Sequence, residues 1–351
     1  MALLNSAPLR VSRLVLTCLA LLTTGCDDPK KEAQLRWREE EVAAKEMDLV
    51  KREKAVLDNR RAMEEIEGRV KLKQDQIAKR EAELAVLEAK AKQAKVLFET
   101  RARRGPVPNT TAGRIIVIDP AEDEVLFEKE ADKKGAIAST TKVMTALLLI
   151  ENGDLDKIVT IEQSDTQCAP VRIGLKVGET YTRRQLLSAM LVKSSNDIAQ
   201  ALARDNAGSV EAFVAKMNAK CAELGLKNSH YVNPHGLPST TGDDPFSTAR
   251  ELSVVARVCD KLPEIREIVK LQSYKFKFPN GKVTDLANTN RVLKSASYCD
   301  GMKTGYTNAA GYCLVASGER NGKRRIVVIL NDTEGGVWRD AQALLDWALK
   351  A

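Results

Sequence analysis

The chain has 351 residues, 44% of them hydrophobic and 29% charged, enough to bury one sizeable core with an appendage or two cores of ordinary size. Its formal net charge of +7 is spread along the sequence instead of gathering in an aromatic-flanked patch. That distribution gives no nucleic-acid signature and is compatible with an anionic polymer or a membrane surface as neighbour. Seven cysteines lack CxxC spacing and the two histidines, His230 and His235, form no HExxH pair, so neither a metal nor a cofactor is expected.

At the N-terminus Arg10 and Arg13 precede the apolar run Leu14 to Leu22, which is too short to remain as a membrane-spanning helix and reads as an export signal. The next residues, Leu22-Thr23-Thr24-Gly25-Cys26, resemble the lipobox of bacterial lipoproteins, with Thr23 where leucine is usual. Residues 1–26 are therefore expected to be a signal peptide ending at a lipidated Cys26. Such a protein is exported and held, lipid-anchored, in the periplasm or at the extracytoplasmic face of the cell membrane. Asp27 resembles an inner-membrane retention signal. In an oxidising compartment Cys168, Cys221, Cys259, Cys299 and Cys313 can form disulfides with one left over, or stay as buried free thiols; spacing does not choose between these.

Residues 27–105 are rich in Lys, Arg, Glu, Ala and Leu and predict one long helix. Leu35, Val42, Leu49, Val56, Met63, Val70, Ile77 and Leu84 recur at every seventh position, the spacing that keeps one seam facing a partner helix. Three residues further on, Arg38, Lys45, Arg52, Asn59, Lys73 and Arg80 are polar and only Ile66 and Leu87 apolar, so half the seam is not hydrophobic. Two readings follow: a coiled coil over 35–87 joining copies of the chain, or a single solvated helix carrying many charge pairs. Either is a spacer on the order of 100 Å long, at about 1.5 Å per residue.

Gly105-Pro106-Val107-Pro108 ends the helix, since proline disfavours the helical conformation of the residue before it, and a domain over 106–351 begins. Arg114 to Asp119 and Glu124 to Lys129 read as strands, and a helix is expected to start near Ser139 and run to Asn152-Gly153. Further helices are expected at Thr182 to Val192, Asp197 to Asn206, Val210 to Leu224, Thr248 to Lys261 and Pro263 to Leu271. Pro279-Asn280-Gly281-Lys282 marks a hairpin turn. Tyr298 to Thr304, Gly311 to Ser317 and Arg325 to Asn331 read as antiparallel strands, and Val337 to Lys350 as a closing amphipathic helix. Strands at both ends around a helical middle predict an α/β (α+β) domain: an antiparallel sheet assembled from both termini with helices on its faces.

Three short motifs carry chemistry. Ser139-Thr140-Thr141-Lys142 sets a hydroxyl and an amine one helical turn apart on one face, as a nucleophile and its base require, provided that the lysine loses its proton through desolvation or a nearby cation. Ser194-Ser195-Asn196 lies between two predicted helices and offers a second hydroxyl and an amide. Lys303-Thr304-Gly305 ends a predicted strand, where lysine and threonine can bind a carboxylate and glycine permits close approach. Each alone reads more simply as a helix cap or a strand end.

Taken together and in this order, Ser-x-x-Lys, Ser-x-Asn and Lys-Thr-Gly resemble the signature of penicillin-binding proteins and serine β-lactamases, the β-lactamase/transpeptidase-like superfamily. The blocks Ala138 to Thr145, Asn233 to Leu237, Asp300 to Thr307 and Ala310 to Val315 resemble those of D-alanyl-D-alanine carboxypeptidases of low molecular mass (peptidase family S11), over roughly Val107 to Ala351. The resemblance implies removal of the terminal D-alanine from peptidoglycan stem pentapeptides, and binding of β-lactams, through an acyl-enzyme. It makes Ser139 the nucleophile, Lys142 its base, Ser194 a proton relay to the leaving amine and Asn196 a holder of the substrate amide. Lys303, Thr304 and Gly305 would hold the terminal carboxylate, and the backbone N–H groups of Ser139 and Tyr306 would form the oxyanion hole. Many relatives carry a β-rich domain and a C-terminal membrane helix after this one; here anchoring is expected at the N-terminus. The rivals are a β-lactamase, disfavoured because no ExxxN element stands between Asn196 and Lys303, a D,D-endopeptidase, and a non-catalytic wall-binding coiled-coil scaffold.

Overall fold

The structure is a computed structural model describing residues 29–350 except 152, 169, 240 and 241. The expected signal peptide and Cys26 lie outside the described residues. The chain divides into two units, 1–93 and 94–351.

The described part of the first unit is helix α1 (Pro29–Arg104), which continues into the second. At about 1.5 Å per residue its 76 residues span about 110 Å. Apolar residues at every seventh position, Leu35 through Leu84, are all exposed on this single chain. Pairs one turn apart, Arg36 with Glu32, Lys45 with Glu41 and Arg52 with Asp48, run along its surface. Such exposed pairs contribute a few tenths of a kcal/mol each, about 0.3–0.5. Among the described residues, no helix is long and apolar enough to cross a membrane.

The second unit is built around a five-stranded antiparallel sheet in the order β2-β1-β9-β8-β7: β1 (Arg114–Asp119), β2 (Glu124–Lys129), β7 (Cys299–Thr307), β8 (Gly311–Arg320) and β9 (Lys323–Asp332). The expected sheet from both ends of the domain is therefore present. Successive strand residues point to opposite faces, and both faces are covered, which is why β1, β8 and β9 are almost continuously apolar. Ile116, Ile118, Val315, Ile326 and Val328 join the core on the side of the helical middle. Ile115, Val117, Leu314, Val327 and Ile329 join a second core under α8 (Val292–Ser295) and α9 (Gly336–Ala348).

The helical middle comprises α2 (Lys142–Glu151), α3 (Arg183–Lys193), α4 (Asn196–Ala207), α5 (Val210–Glu223), α6 (Ala249–Asp260) and α7 (Pro263–Val269). Helix α2 is buried from Lys142 through Leu149, on all sides, as its run of apolar residues requires. Thr182, Ser209 and Thr248 cap α3, α5 and α6 by accepting a backbone N–H through their hydroxyls. Hairpin β5 (Ser273–Lys277) and β6 (Val283–Ala287) closes around the expected turn, whereas the short pair β3 (Ile158–Thr160) and β4 (Thr180–Thr182) was not anticipated. Three residues are too few for a periodic signal.

Two local expectations need correction. Ser139 lies not in the first turn of an α-helix but in a 3-10 turn, Ala138–Thr141, that leads into α2 at Lys142. Lys303-Thr304-Gly305 lies inside β7, which continues to Thr307, because Gly305, Tyr306 and Thr307 still pair with Cys313, Tyr312 and Gly311 of β8. The five cysteines of the second unit are free thiols, four of them buried.

Candidate active site

The three motifs meet at the outer edge of β7. The 3-10 turn carrying Ser139 packs against that strand, and the contact depends on Gly305. A Cβ there would stand 2.9 Å from the Ser139 nitrogen and 3.1 Å from both the Ala138 Cβ and the Ile137 carbonyl oxygen. Under the same turn, Gly236 has φ +84°, and a side chain would place its Cβ 1.9 Å from the Ala138 oxygen. Ala138 and Ser194 adopt left-handed conformations, φ +47° and +67°. Non-glycine residues hold such conformations only where their surroundings impose them. Ser194 forms the C-cap of α3, donating its N–H to the Met190 carbonyl at 2.9 Å, and Asn196 begins α4 two residues later. The helix-to-helix turn anticipated from sequence thus sends Ser194 to Lys303 and Asn196 to Lys142.

Lys142 is fully buried and its Nζ has three partners: Ser139 Oγ at 2.9 Å, Asn196 Oδ1 at 2.7 Å and the His235 carbonyl oxygen at 3.0 Å. Burial lowers its pKa well below the usual lysine value, and the neighbouring Lys303 lowers it further. A neutral amine has two N–H donors and one lone pair. Asn196 Oδ1 and the His235 carbonyl can only accept, so they take both donors and leave the lone pair for the hydroxyl proton of Ser139. Two acceptors and one hydroxyl around a buried amine thereby suit Lys142 to act as a base towards Ser139.

Lys303, 1% exposed, donates to Ser194 Oγ at 2.8 Å and to the Thr304 carbonyl at 2.8 Å, and burial lowers its pKa to about 7. The Thr304 hydroxyl bonds that of Thr289 at 2.7 Å. Lys303 thus meets Thr304 at its backbone carbonyl, while the Thr304 hydroxyl turns to Thr289. Tyr306 is 53% exposed, its ring on Tyr312 with centroids 4.5 Å apart. His235, nearly buried, is held neutral: burial and the Lys142 charge lower its pKa to about 3.

The structure thus brings Ser139, Lys142, Ser194, Asn196, Lys303, Thr304 and Gly305 together, with Tyr306 following on β7 and its side chain exposed, and two members of the cluster were not singled out. The His235 carbonyl belongs to a block quoted above, but a backbone acceptor leaves no mark in residue type, and it reaches Lys142 across 93 positions. Thr289 lies in a connecting segment without periodicity and is drawn in by its N–H bond to the Val192 carbonyl at 3.2 Å. Among the described residues no group of His, Cys, Asp and Glu is arranged to hold a metal ion.

Comparison with known proteins agrees with this geometry. The chain is 36% identical over 246 residues to the D-alanyl-D-alanine carboxypeptidase DacB2 of Mycobacterium tuberculosis, covering 69% of this chain and 84% of that protein. It is 34% identical over 209 residues to a D-alanyl-D-alanine endopeptidase of Pseudomonas aeruginosa, covering 58% of this chain and 66% of the relative. The crystal structure of the Streptomyces K15 DD-transpeptidase superposes with a TM-score of 0.64 at 31% identity, covering 69% of this chain and 98% of that one. The family model for D-alanyl-D-alanine carboxypeptidase, peptidase S11, matches residues 100–334, and with Ser139, Lys142, Ser194, Asn196 and Lys303 gathered at one strand edge the chain belongs to that family of serine peptidases.

Proposed function

We propose that this protein is a D-alanyl-D-alanine carboxypeptidase that removes the terminal D-alanine from peptidoglycan stem pentapeptides outside the cytoplasm. The observation that carries this reading is the Lys142–Ser139 contact of 2.9 Å beside a lysine-threonine pair on the adjacent strand edge.

In the proposed reaction the substrate carboxylate binds Lys303 and Thr304, which sets the terminal peptide bond against Ser139. Lys142 takes the Ser139 proton as Oγ bonds to the penultimate D-alanine carbonyl carbon. The backbone N–H groups of Ser139 and Tyr306 receive the oxyanion. The C–N bond then breaks, and the proton held by Lys142 reaches the departing amine through the Ser194 hydroxyl. With its Oδ1 engaged by Lys142, Asn196 offers its NH2 group to a substrate carbonyl. Water activated by Lys142 next attacks the ester, freeing the shortened peptide and restoring Ser139–OH. A β-lactam follows the same first step, but its amine stays tethered to the acyl group, so the acyl-enzyme persists.

Residues 27–105 are proposed as the spacer between a membrane anchor at Cys26 and a catalytic domain over 106–351, pairing with a second chain through the seam Leu35 to Leu84. Together these would put the enzyme at the extracytoplasmic membrane face. The test incubates the protein with a fluorescent penicillin and with a pentapeptide ending in D-Ala-D-Ala, alongside Ser139→Ala. Slow-turnover labelling and D-alanine release, both lost in the variant, are expected. An unlabelled wild-type protein would leave the non-catalytic scaffold as the better reading, and rapid penicillin turnover would favour a β-lactamase.

A further inference from the structure

Directly after Asn196, Asp197 is 1% exposed and touches neither Ser139 nor Lys142 through any hydrogen bond. Its carboxylate faces the other way. Oδ2 accepts the Ile173 N–H at 3.2 Å and Oδ1 accepts the Ile198 N–H at 2.9 Å. Ile173 belongs to a connecting segment without helix or strand. That segment returns a bond of its own: the Val171 carbonyl accepts the Asn196 N–H at 2.7 Å. Arg172 Nη1 in turn bonds the Thr166 carbonyl at 2.8 Å.

We propose that Asp197 is a positioning residue for the acylation chemistry: its buried carboxylate holds the Ile173 amide and, with the bond from the Asn196 N–H to the Val171 carbonyl, clamps residues 171–173 against the start of α4, which fixes the side chain of Asn196 on Lys142. The inference rests on the roles given above to Asn196 and Lys142. Burial raises the Asp197 pKa from the usual carboxylate range, and nearby backbone N–H groups oppose part of that rise. A buried carboxylate is costly, and a chain needing only a well-packed helix start would be served by an apolar side chain. Ionised oxygen is instead the one side-chain group that accepts several N–H bonds while offering none. Asparagine in its place keeps the shape but turns one oxygen into a donor facing donors, so the segment loses its hold and Asn196 loses the bond from its backbone.

The test compares wild type, Asp197→Asn, Asn196→Ala and the double variant by the rate constant and the dissociation constant for acylation with a fluorescent penicillin. In Asp197→Asn the acylation rate constant is expected to fall between about tenfold and a hundredfold. Penicillin dissociation should change less than about twofold, since the carboxylate receptor lies on β7. If Asp197 acts through Asn196, adding Asp197→Asn to Asn196→Ala costs nothing more. Full additivity, or a loss confined to dissociation, overturns the proposal while leaving the enzymatic reading intact; a wild-type protein that takes no label removes that reading itself. Hydrogen exchange on the wild-type chain decides the matter even where the variant fails to fold: the Ile173 amide should exchange slowly despite lying outside helices and strands, and fast exchange would refute the clamp.

Discussion

Lys303 Nζ lies 2.8 Å from Ser194 Oγ, joining an edge strand to a helix-helix turn 109 positions earlier in the chain. The bond ties the carboxylate receptor to the proposed proton relay, and it brings a second buried lysine close enough to Lys142 to depress its pKa. One amine must be neutral to act as base while the other must be charged to hold an anion. Their difference in environment sets the pH window of the enzyme.

The pH dependence of kcat/KM is expected to be bell-shaped, and titrating D-alanine release checks it. Activity rises with pH as Lys142 loses its proton and falls as Lys303, lowered to about 7 by burial, loses the charge that receives the carboxylate. The alkaline limb of kcat should lie higher, because bound carboxylate favours charged Lys303. Stability has its own sign. Unfolded Lys303 titrates near 10.5 and the folded side chain near 7, so between those values the unfolded state binds more protons. Its contribution therefore increases stability as pH rises through that window, and Lys303→Met should raise the melting temperature most at pH 7 or below.

Lys142→Arg preserves the positive charge but not the chemistry, since guanidinium keeps its proton at any working pH. Acylation by fluorescent penicillin should fall at least about a thousandfold, the upper part of the range for losing a general base. Retention of a rate within tenfold of wild type would assign the base elsewhere.

Gly236→Ala should remove both activity and a large part of the stability. The new methyl would stand 1.9 Å from the Ala138 carbonyl oxygen and 2.6 Å from the Thr141 hydroxyl, beneath the turn that carries Ser139, at a backbone conformation with φ +84°. A cost of about 3 kcal/mol or more is expected from overpacking and left-handed strain combined. Thermal unfolding and penicillin labelling read the two effects separately.

If the seam Leu35 to Leu84 pairs two chains, Leu49→Glu together with Val56→Glu should turn an associated protein into a monomer by sedimentation while D-alanine release per chain stays the same. Both residues are exposed on the single helix, so the change costs the isolated chain little. A wild-type chain that sediments as a monomer at micromolar concentration would leave the single solvated helix.

The contrast between α1 and the site shows where sequence reading succeeds. A seventy-residue stretch of strong helix formers without proline is legible because helix propensity and charge spacing act within a few positions. Strand β1 was legible as a short strand beside a turn, and β8 and β9 as segments that alternate like antiparallel strands. Their burial on two faces was not, because it depends on α9 returning to cover Ile115, Val117 and Leu314. The left-handed Ala138 and Ser194 are positions where local preference gives way to packing, and local rules miss such positions.

The sequence by itself determined which groups were available: three hydroxyls, two lysines, an amide and a glycine, in an order and spacing that resemble those of one superfamily. Tertiary structure decided what those groups are. Lys142 is desolvated, as its proposed role as base requires, because residues from α4 and from the Asn233 to Leu237 block enclose it and occupy both its donors. Lys303 meets Ser194 only where β7 reaches the turn between α3 and α4, as its proposed role as carboxylate receptor requires. The identity of a side chain is local, but its protonation follows from the dielectric and the charges around it, and those are supplied by segments far away along the chain.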